Sequence, residues 1–136
     1  MADEIAGQAS VIDGDTIEIQ GQRIRLHGID SPETGQTCFT ADRRSWRCGQ
    51  QAALALSDFL GQRVVRCTAN GTSYDRVVAV CAVDGVDVAA WLAGEGWAIA
   101  AVRYSRAYVD EERAAKDAAL NIWQGSFMDP AEWRAQ

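Results

Sequence analysis

The stretch from Asp13 to Glu33 constrains this chain more than any other, because its alternation and its turn residues oblige two strands to lie side by side. Ile17 and Ile19 alternate with Thr16, Glu18 and Gln20; Gly21 and Gln22 supply a tight turn; Ile24 and Leu26 alternate with Arg23, Arg25 and His27. A repeat of two residues sends the apolar side chains to one face and Arg25 to the other. Folding the second strand onto the first brings Asp15, which precedes the hairpin, toward Asp30, which follows it. Ser31 and Pro32 then end the second strand, since proline lacks a ladder donor and holds its predecessor extended. The predicted product is an oxygen-rich pocket fed by Asp13, Asp15, Asp30 and Glu33, with a guanidinium beside it.

At 136 residues, 48% of them hydrophobic, the chain has enough apolar material for one domain with a core and too little length for two. Residues 1–7 read as a loose leader and 126–136 as a C-terminal extension of that single domain, which is expected to act as a monomer. The net charge of -6 and the pI near 4.7 run against the basic surface usual in nucleic-acid binders. The sign is uneven, however: from Arg23 to Arg76 there are eight arginines and five acids, against five basic and fourteen acidic residues elsewhere. A basic face on an acidic protein stays open. No apolar run approaches the roughly 20 residues of a membrane helix, so no bilayer span is expected.

Cys38, Cys48, Cys67 and Cys81 form no CxxC pair, which disfavours a zinc site or a thioredoxin-type redox motif. Two disulfides fit better. Of the three connectivities, Cys38 with Cys48 across a short loop and Cys67 with Cys81 across a hairpin are favoured, because both are local and the predicted strands face each other. Such bonds point to an oxidising compartment, secreted or periplasmic. The start Met1, Ala2, Asp3, Glu4 lacks a signal peptide's basic and apolar regions; a mature secreted form with an added initiator Met reconciles the two. Four reduced cysteines in a cytosolic protein are the competing reading.

Taken in order, Ala9 and Val11 begin a strand that ends at the turn Asp13, Gly14, Asp15, and the hairpin follows. Gly35 to Gly49 is polar, carries Arg43, Arg44 and Arg47, and shows no sustained period; it reads as a surface loop stapled by the first disulfide, whose arginines either solvate it or, the reading favoured because the loop abuts Glu33, track phosphates. Ala52, Ala53, Leu56, Phe59 and Leu60 recur at helical spacing from Gln50 to Leu60, with Gly61 as a C-cap. Val64, Val65 and Cys67, then Val77 to Val83, read as strands; Asp87 caps a short helix through Leu92; Trp97, Ile99 and Ala101 alternate as a last strand; residues 107–120 form a helix with Asp110, Glu111 and Glu112 in its first turns. About five short strands with three interleaved helices predict an α+β fold, a five-stranded oligonucleotide-binding (OB-fold) β-barrel with three packed helices. Trp91, Trp97, Trp123 and Trp133 read as packing residues, and Trp46 stands between packing and base stacking. His27 reads as a surface strand residue.

The run Val11, Ile12, Asp13, Gly14, Asp15, Thr16, Ile17, then Ile24 to Glu33, then Tyr74, Asp75, Arg76 and Leu120 to Trp123, resembles the staphylococcal nuclease (thermonuclease) family over roughly residues 8–125. The resemblance implies a calcium-dependent nuclease cutting DNA and RNA, and the four cysteines resemble those of secreted bacterial members. Carried over by position, it implies Asp15 and Asp30 as Ca2+ ligands through their carboxylates and Ser31 through its carbonyl. Glu33 would be general base, Arg25 and Arg76 would grip the scissile phosphate, and Tyr74 and Tyr104 would contact the bound nucleotide. The chain departs from the family's pattern at Asp75, which stands where the family usually has glycine and puts its charge beside Arg76; at Thr72 and Ser73, which replace a lysine-rich loop and an acidic aspartate; and at Ser31, where threonine is commoner.

The chemistry suits these residue types. A phosphodiester is anionic, so hydrolysis needs positive charge where the transition state builds negative charge. Calcium is a hard cation that takes about six to eight oxygens, and arginine's planar fork donates paired hydrogen bonds to phosphate at any working pH. Each residue also has a plainer explanation: Asp13, Gly14, Asp15 as an ordinary turn, Arg25 as a solvated strand residue, Arg76 as a structural partner of Asp75. A non-catalytic binding module on the same barrel, or an export-stabilised structural protein, are the alternatives to the enzyme.

Overall fold

The structure is a computed structural model that describes residues 4–73 and 75–136. In chain order it contains β1 (Glu4–Gln8), β2 (Ser10–Asp13), β3 (Thr16–Ile19), β4 (Gln22–Leu26), β5 (Ile29–Asp30), β6 (Cys38–Thr40), β7 (Ser45–Trp46), α1 (Cys48–Leu60), β8 (Val64–Ser73) and β9 (Arg76–Val83). There follow β10 (Val86–Asp87), α2 (Val88–Gly94), β11 (Ile99–Ala100), α3 (Val109–Asp117), a 3-10 turn (Asn121–Gln124), β12 (Gly125–Ser126) and α4 (Pro130–Arg134).

The main sheet runs β1-β8-β9-β4-β3-β2, with β10 added to β9. Only Ala9 separates β1 from β2, yet they occupy opposite ends of this order, so the sheet must curl round on itself. Counted as one bent strand, β1 and β2 make the five strands of the expected barrel with β3, β4, β8 and β9. The contact between β4 and β9 is parallel, with Arg25 opposite Val78 and Leu26 opposite Ala79; the other ladders are antiparallel.

Alternation decides what the barrel encloses. Ile17, Ile19, Ile24 and Leu26 from the hairpin, Val65 and Cys67 from β8, and Ala79, Cys81 and Val83 from β9 are all buried in one cluster. Ala52, Leu56 and Leu60 of α1, four residues apart, cover one side of it. Gly61 closes that helix in left-handed geometry (φ 55°), its N–H donating to the Ser57 carbonyl. In α2 the Asp87 carboxylate caps the helix by accepting from the Ala90 N–H at 3.1 Å, and Tyr108 donates its hydroxyl to the same carboxylate at 2.7 Å. Desolvation, then Asp87, holds the Tyr108 hydroxyl above its usual pKa.

The two disulfides are Cys38–Cys48 and Cys67–Cys81, the connectivity the local spacing favours. The second lies between directly paired residues of β8 and β9. Three segments differ from the sequence reading. Residues 4–7, expected in a loose leader, belong to β1, whose pairing from Glu4 to Gln8 covers the edge of β8; residues 1–3 lie outside the described residues. The supposed surface loop of Gly35 to Gly49 carries β6 and β7, which form a small sheet with β12 over a second core of Cys38, Cys48 and Ile122. The expected C-terminal extension takes in the last residue of β12 and a fourth helix, α4, started by Asp129 as N-cap and Pro130 at its first turn.

Replacing both Cys67 and Cys81 by alanine should cost about 3 kcal/mol, since the bond restrains a short loop of the unfolded chain. Urea unfolding followed by tryptophan fluorescence measures it, and an unchanged midpoint would show that the β8–β9 ladder alone carries that stability.

Candidate active site

The acids and arginines of the hairpin converge because a tight turn and a strand end meet. The turn is closed by the Asp15 N–H donating to an Asp13 carboxylate oxygen at 3.1 Å. Gly14 packs under Ser31, where a Cβ would come within 2.4 Å of the serine Oγ, so this approach excludes any side chain at position 14. Asp15 is 5% exposed. One of its carboxylate oxygens accepts from the Ser31 N–H at 2.9 Å and the other from the Thr16 hydroxyl at 3.2 Å. Its backbone carbonyl accepts from the Leu26 N–H at 2.9 Å, which locks the turn to the end of β4.

Arg25 leaves β4 on the face away from the core and spans both acids. Its guanidinium lies 3.4 Å from Asp15, donates to Asp30, and donates to the Leu26 carbonyl at 2.9 Å. All three side chains are largely desolvated, with 16%, 7% and 14% exposure for Arg25, Asp15 and Asp30. Asp30 is held in place by the pairing of β5 with β11, where it sits opposite Ile99. Burial raises its pKa, Arg25 pulls it down and Asp15 pushes it up, with burial prevailing. Asp13 is pushed up to about 7, first by burial and then by its hydrogen bond and repulsion with Asp15.

Glu33 stands at the mouth of the same cavity. Its backbone is set by two contacts. The Glu33 N–H donates to the side-chain carbonyl of the fully buried Gln36 at 3.1 Å. The start of α1 presses on its carbonyl: a Cβ at Gly49 would fall 1.6 Å from that oxygen. Gln36 also donates to the Met128 carbonyl at 2.7 Å, tying the Glu33 loop to the C-terminal segment. The Glu33 carboxylate meets Arg134 of α4 at 2.6 Å, and the same guanidinium lies 3.8 Å from Asp30. Burial works against the charge on Arg134, but Glu33 and Asp30 outweigh it and raise its pKa.

The cavity these residues share has a volume of about 890 Å³, and its lining also includes Arg76, His27, Tyr104 and Arg103. Arg76 enters from the first position of β9. Among the described residues the ion pairs of the cavity belong to Arg25 and Arg134, and Arg76 makes none with Asp75. Tyr104 is 69% exposed, with the Arg103 guanidinium 6.0 Å from its ring centre. Tyr74 lies outside the described residues. Arg43, Arg44 and Arg47 are exposed beside the β6–β7 turn and do not line the cavity; Arg44 pairs with Asp42 at 3.2 Å. Trp46 packs on the second core, edge-on to Trp97 at 6.2 Å between ring centres, so it is engaged as a packing residue.

The donors around Asp15 and Asp30 are all oxygens, and two of the carboxyl groups, Asp13 and Asp30, sit above their ordinary pKa through burial. A hard divalent cation fits such a set through the Asp15 and Asp30 carboxylates, the Ser31 carbonyl and water. Among the described residues no group of three or more His, Cys, Asp or Glu gathers as a metal cluster. Arg134 was outside the sequence reading. Its signal was Asp129 followed by Pro130, a helix start written in the sequence.

The family described as "Staphylococcal nuclease homologue" matches residues 23–125. The succinoglycan biosynthesis protein ExoI of Rhizobium meliloti is 41% identical over 127 residues, which is 90% of this chain and 66% of that protein, so the chain spans just under two thirds of that relative. The family match takes in Arg25, Asp30, Glu33 and Arg76 and starts after Asp15.

The raised pKa of Asp13 has a pH signature in chelator. Between its ordinary value of 3.8 and its folded value of about 7 the folded chain keeps a proton that the unfolded chain has released. This contribution to stability is therefore full below about pH 4 and lost as pH rises through 7. Asp13→Asn should show a melting-temperature advantage over the parent that grows from pH 5 to pH 8. A constant offset across that range would contradict it.

Proposed function

This chain belongs to the staphylococcal nuclease homologue family, and from that premise we propose that it is a calcium-dependent nuclease that hydrolyses phosphodiester bonds of DNA and RNA with little base specificity. The observation that carries the reading is the gathering of Asp15 and Asp30 on one guanidinium, with Glu33 and Arg76 on the wall of the same cavity.

When bound between Asp15, Asp30 and the Ser31 carbonyl, calcium would supply positive charge to the phosphate and acidify a water. The chain's own residues do the rest. Glu33 accepts the proton of the attacking water, and its backbone anchoring by Gln36 and Gly49 restricts where that carboxylate reaches. Arg25 and Arg76 donate to the phosphate oxygens, where charge grows as the water attacks. Tyr104, exposed at the rim, offers a face for the nucleotide, and Tyr74 is assigned the same role by its position in the sequence. The two disulfides support a secreted or periplasmic location, and no helix among the described residues is long and apolar enough to cross a membrane.

A second reading, a non-catalytic binding module, draws on Asp75 immediately before Arg76 and on the relative whose name places it in succinoglycan biosynthesis. It would bind oligonucleotide and form no product.

Digestion of single-stranded DNA with calcium and with chelator separates the two. Activity should require calcium. Glu33→Gln should lower kcat by about 10²–10⁴ with an unchanged melting curve, and Arg25→Lys by about 10² because the paired donors are lost while the buried charge is kept. Equal degradation in chelator would remove this mechanism.

A further inference from the structure

The segment after the family match is built into the cavity wall. Pro130 is buried, and Asp129 caps α4 by accepting from the Ala131 N–H at 2.8 Å. The Gln36 side chain joins the Glu33 backbone to the Met128 carbonyl, and the Trp133 ring lies beside Gly35. The loop of residues 33–36 is thereby tied to the segment that carries α4, and the charged group α4 presents to the cavity is Arg134.

We propose that Arg134 is a positioning residue of this site, holding the Glu33 carboxylate in place and setting how strongly the neighbouring acids attract a divalent cation. The inference rests on the reading of Glu33 as general base. Arg134 is 44% exposed and Glu33 23%, and a pair so wetted contributes little to folding stability, so stability alone does not account for a helix docked to deliver it. Glutamate has a long, flexible side chain, and a base must hold one geometry relative to the water it activates. A charge-assisted contact at 2.6 Å from a helix fixed at both Gln36 and Gly35 supplies that restraint. Arg25, the other ion-paired arginine of the cavity, is engaged by Asp15 and Asp30 instead.

The second arm of the Arg134 fork lies 3.8 Å from Asp30. A fixed positive charge there opposes an incoming dication. Arg134 thus has two effects of opposite sign: it aids turnover through Glu33 and weakens cation binding at Asp30. A residue that merely buttressed the fold would lower both together.

The test compares the full chain with Arg134→Ala, Arg134→Lys, Glu33→Gln and the double variant Glu33→Gln with Arg134→Ala. It measures kcat and KM on single-stranded DNA, calcium affinity by calorimetry, and the melting temperature. Arg134→Ala should lower kcat about tenfold with KM altered less than about threefold, Arg134→Lys should recover part of the loss, and the alanine change should add nothing once Glu33 is glutamine. Calcium should bind Arg134→Ala about three- to tenfold more tightly. Additive losses in the double variant, or an unchanged or weaker calcium affinity, would overturn the proposal while leaving a cleaving parent protein as a nuclease. If the parent binds calcium but cleaves nothing, the nuclease reading fails, and tighter or unchanged calcium binding by Arg134→Ala still decides for or against Arg134's influence on the cation. A parent that neither binds calcium nor cleaves sinks both.

Discussion

The bridge from Arg25 to Asp15 and Asp30 is the interaction on which the rest of this site depends. Two carboxylates gathered on one guanidinium and almost out of solvent repel each other strongly. A single guanidinium between them offsets much of that repulsion, and removing it would leave buried charge unpaired at a cost of about 3–5 kcal/mol. Arginine serves here because it can face two acids at once and also reach the Leu26 carbonyl. Burial, more than mutual repulsion, holds Asp13 and Asp30 above their ordinary pKa, while Arg25 pulls Asp30 the other way.

Around that bridge the fold provides rigid supports from distant parts of the chain. The hairpin delivers Asp15 and Arg25, the β5–β11 pair delivers Asp30, and β9 delivers Arg76. Glu33 is held between the start of α1 and the C-terminal segment, with the Cys38–Cys48 bond ending on the residue next to Gly49. Each of these side chains thus projects from backbone fixed by hydrogen bonds or close packing.

Much of this was legible in the sequence where the signal was local and periodic. The isoleucine and leucine alternation of residues 17–26 predicted the hairpin, and from it the meeting of Asp15 with Asp30. Local spacing of the cysteines predicted their pairing. Asp87 as a cap and Gly61 as a terminator were readable from residue type. What escaped had too few residues for a period to register. The strand at residues 4–8 holds only Ile5 and Ala6 as apolar residues, with Gly7 following, and it exists because the edge of β8 needs a partner. The strands β6, β7 and β12 are two or three residues long and are stabilised by each other and by a disulfide. α4 is five residues long, and only its docking on the Glu33 loop gives Arg134 a place in the cavity.

The parallel ladder between β4 and β9 divides the site by when it can form. Asp15 and Arg25 belong to a hairpin whose strands meet through a two-residue turn, so their neighbourhood forms at small loop-closure entropy, whereas Asp30 is fixed only when β5 pairs with the distant β11. Arg76 arrives only when Ile24 finds Val77, across some fifty positions and a helix, and such non-local pairing is slow. Arg25 and Asp15 are thus brought together by contacts close in the chain, whereas Arg76 joins them only through a ladder that spans the α1 helix.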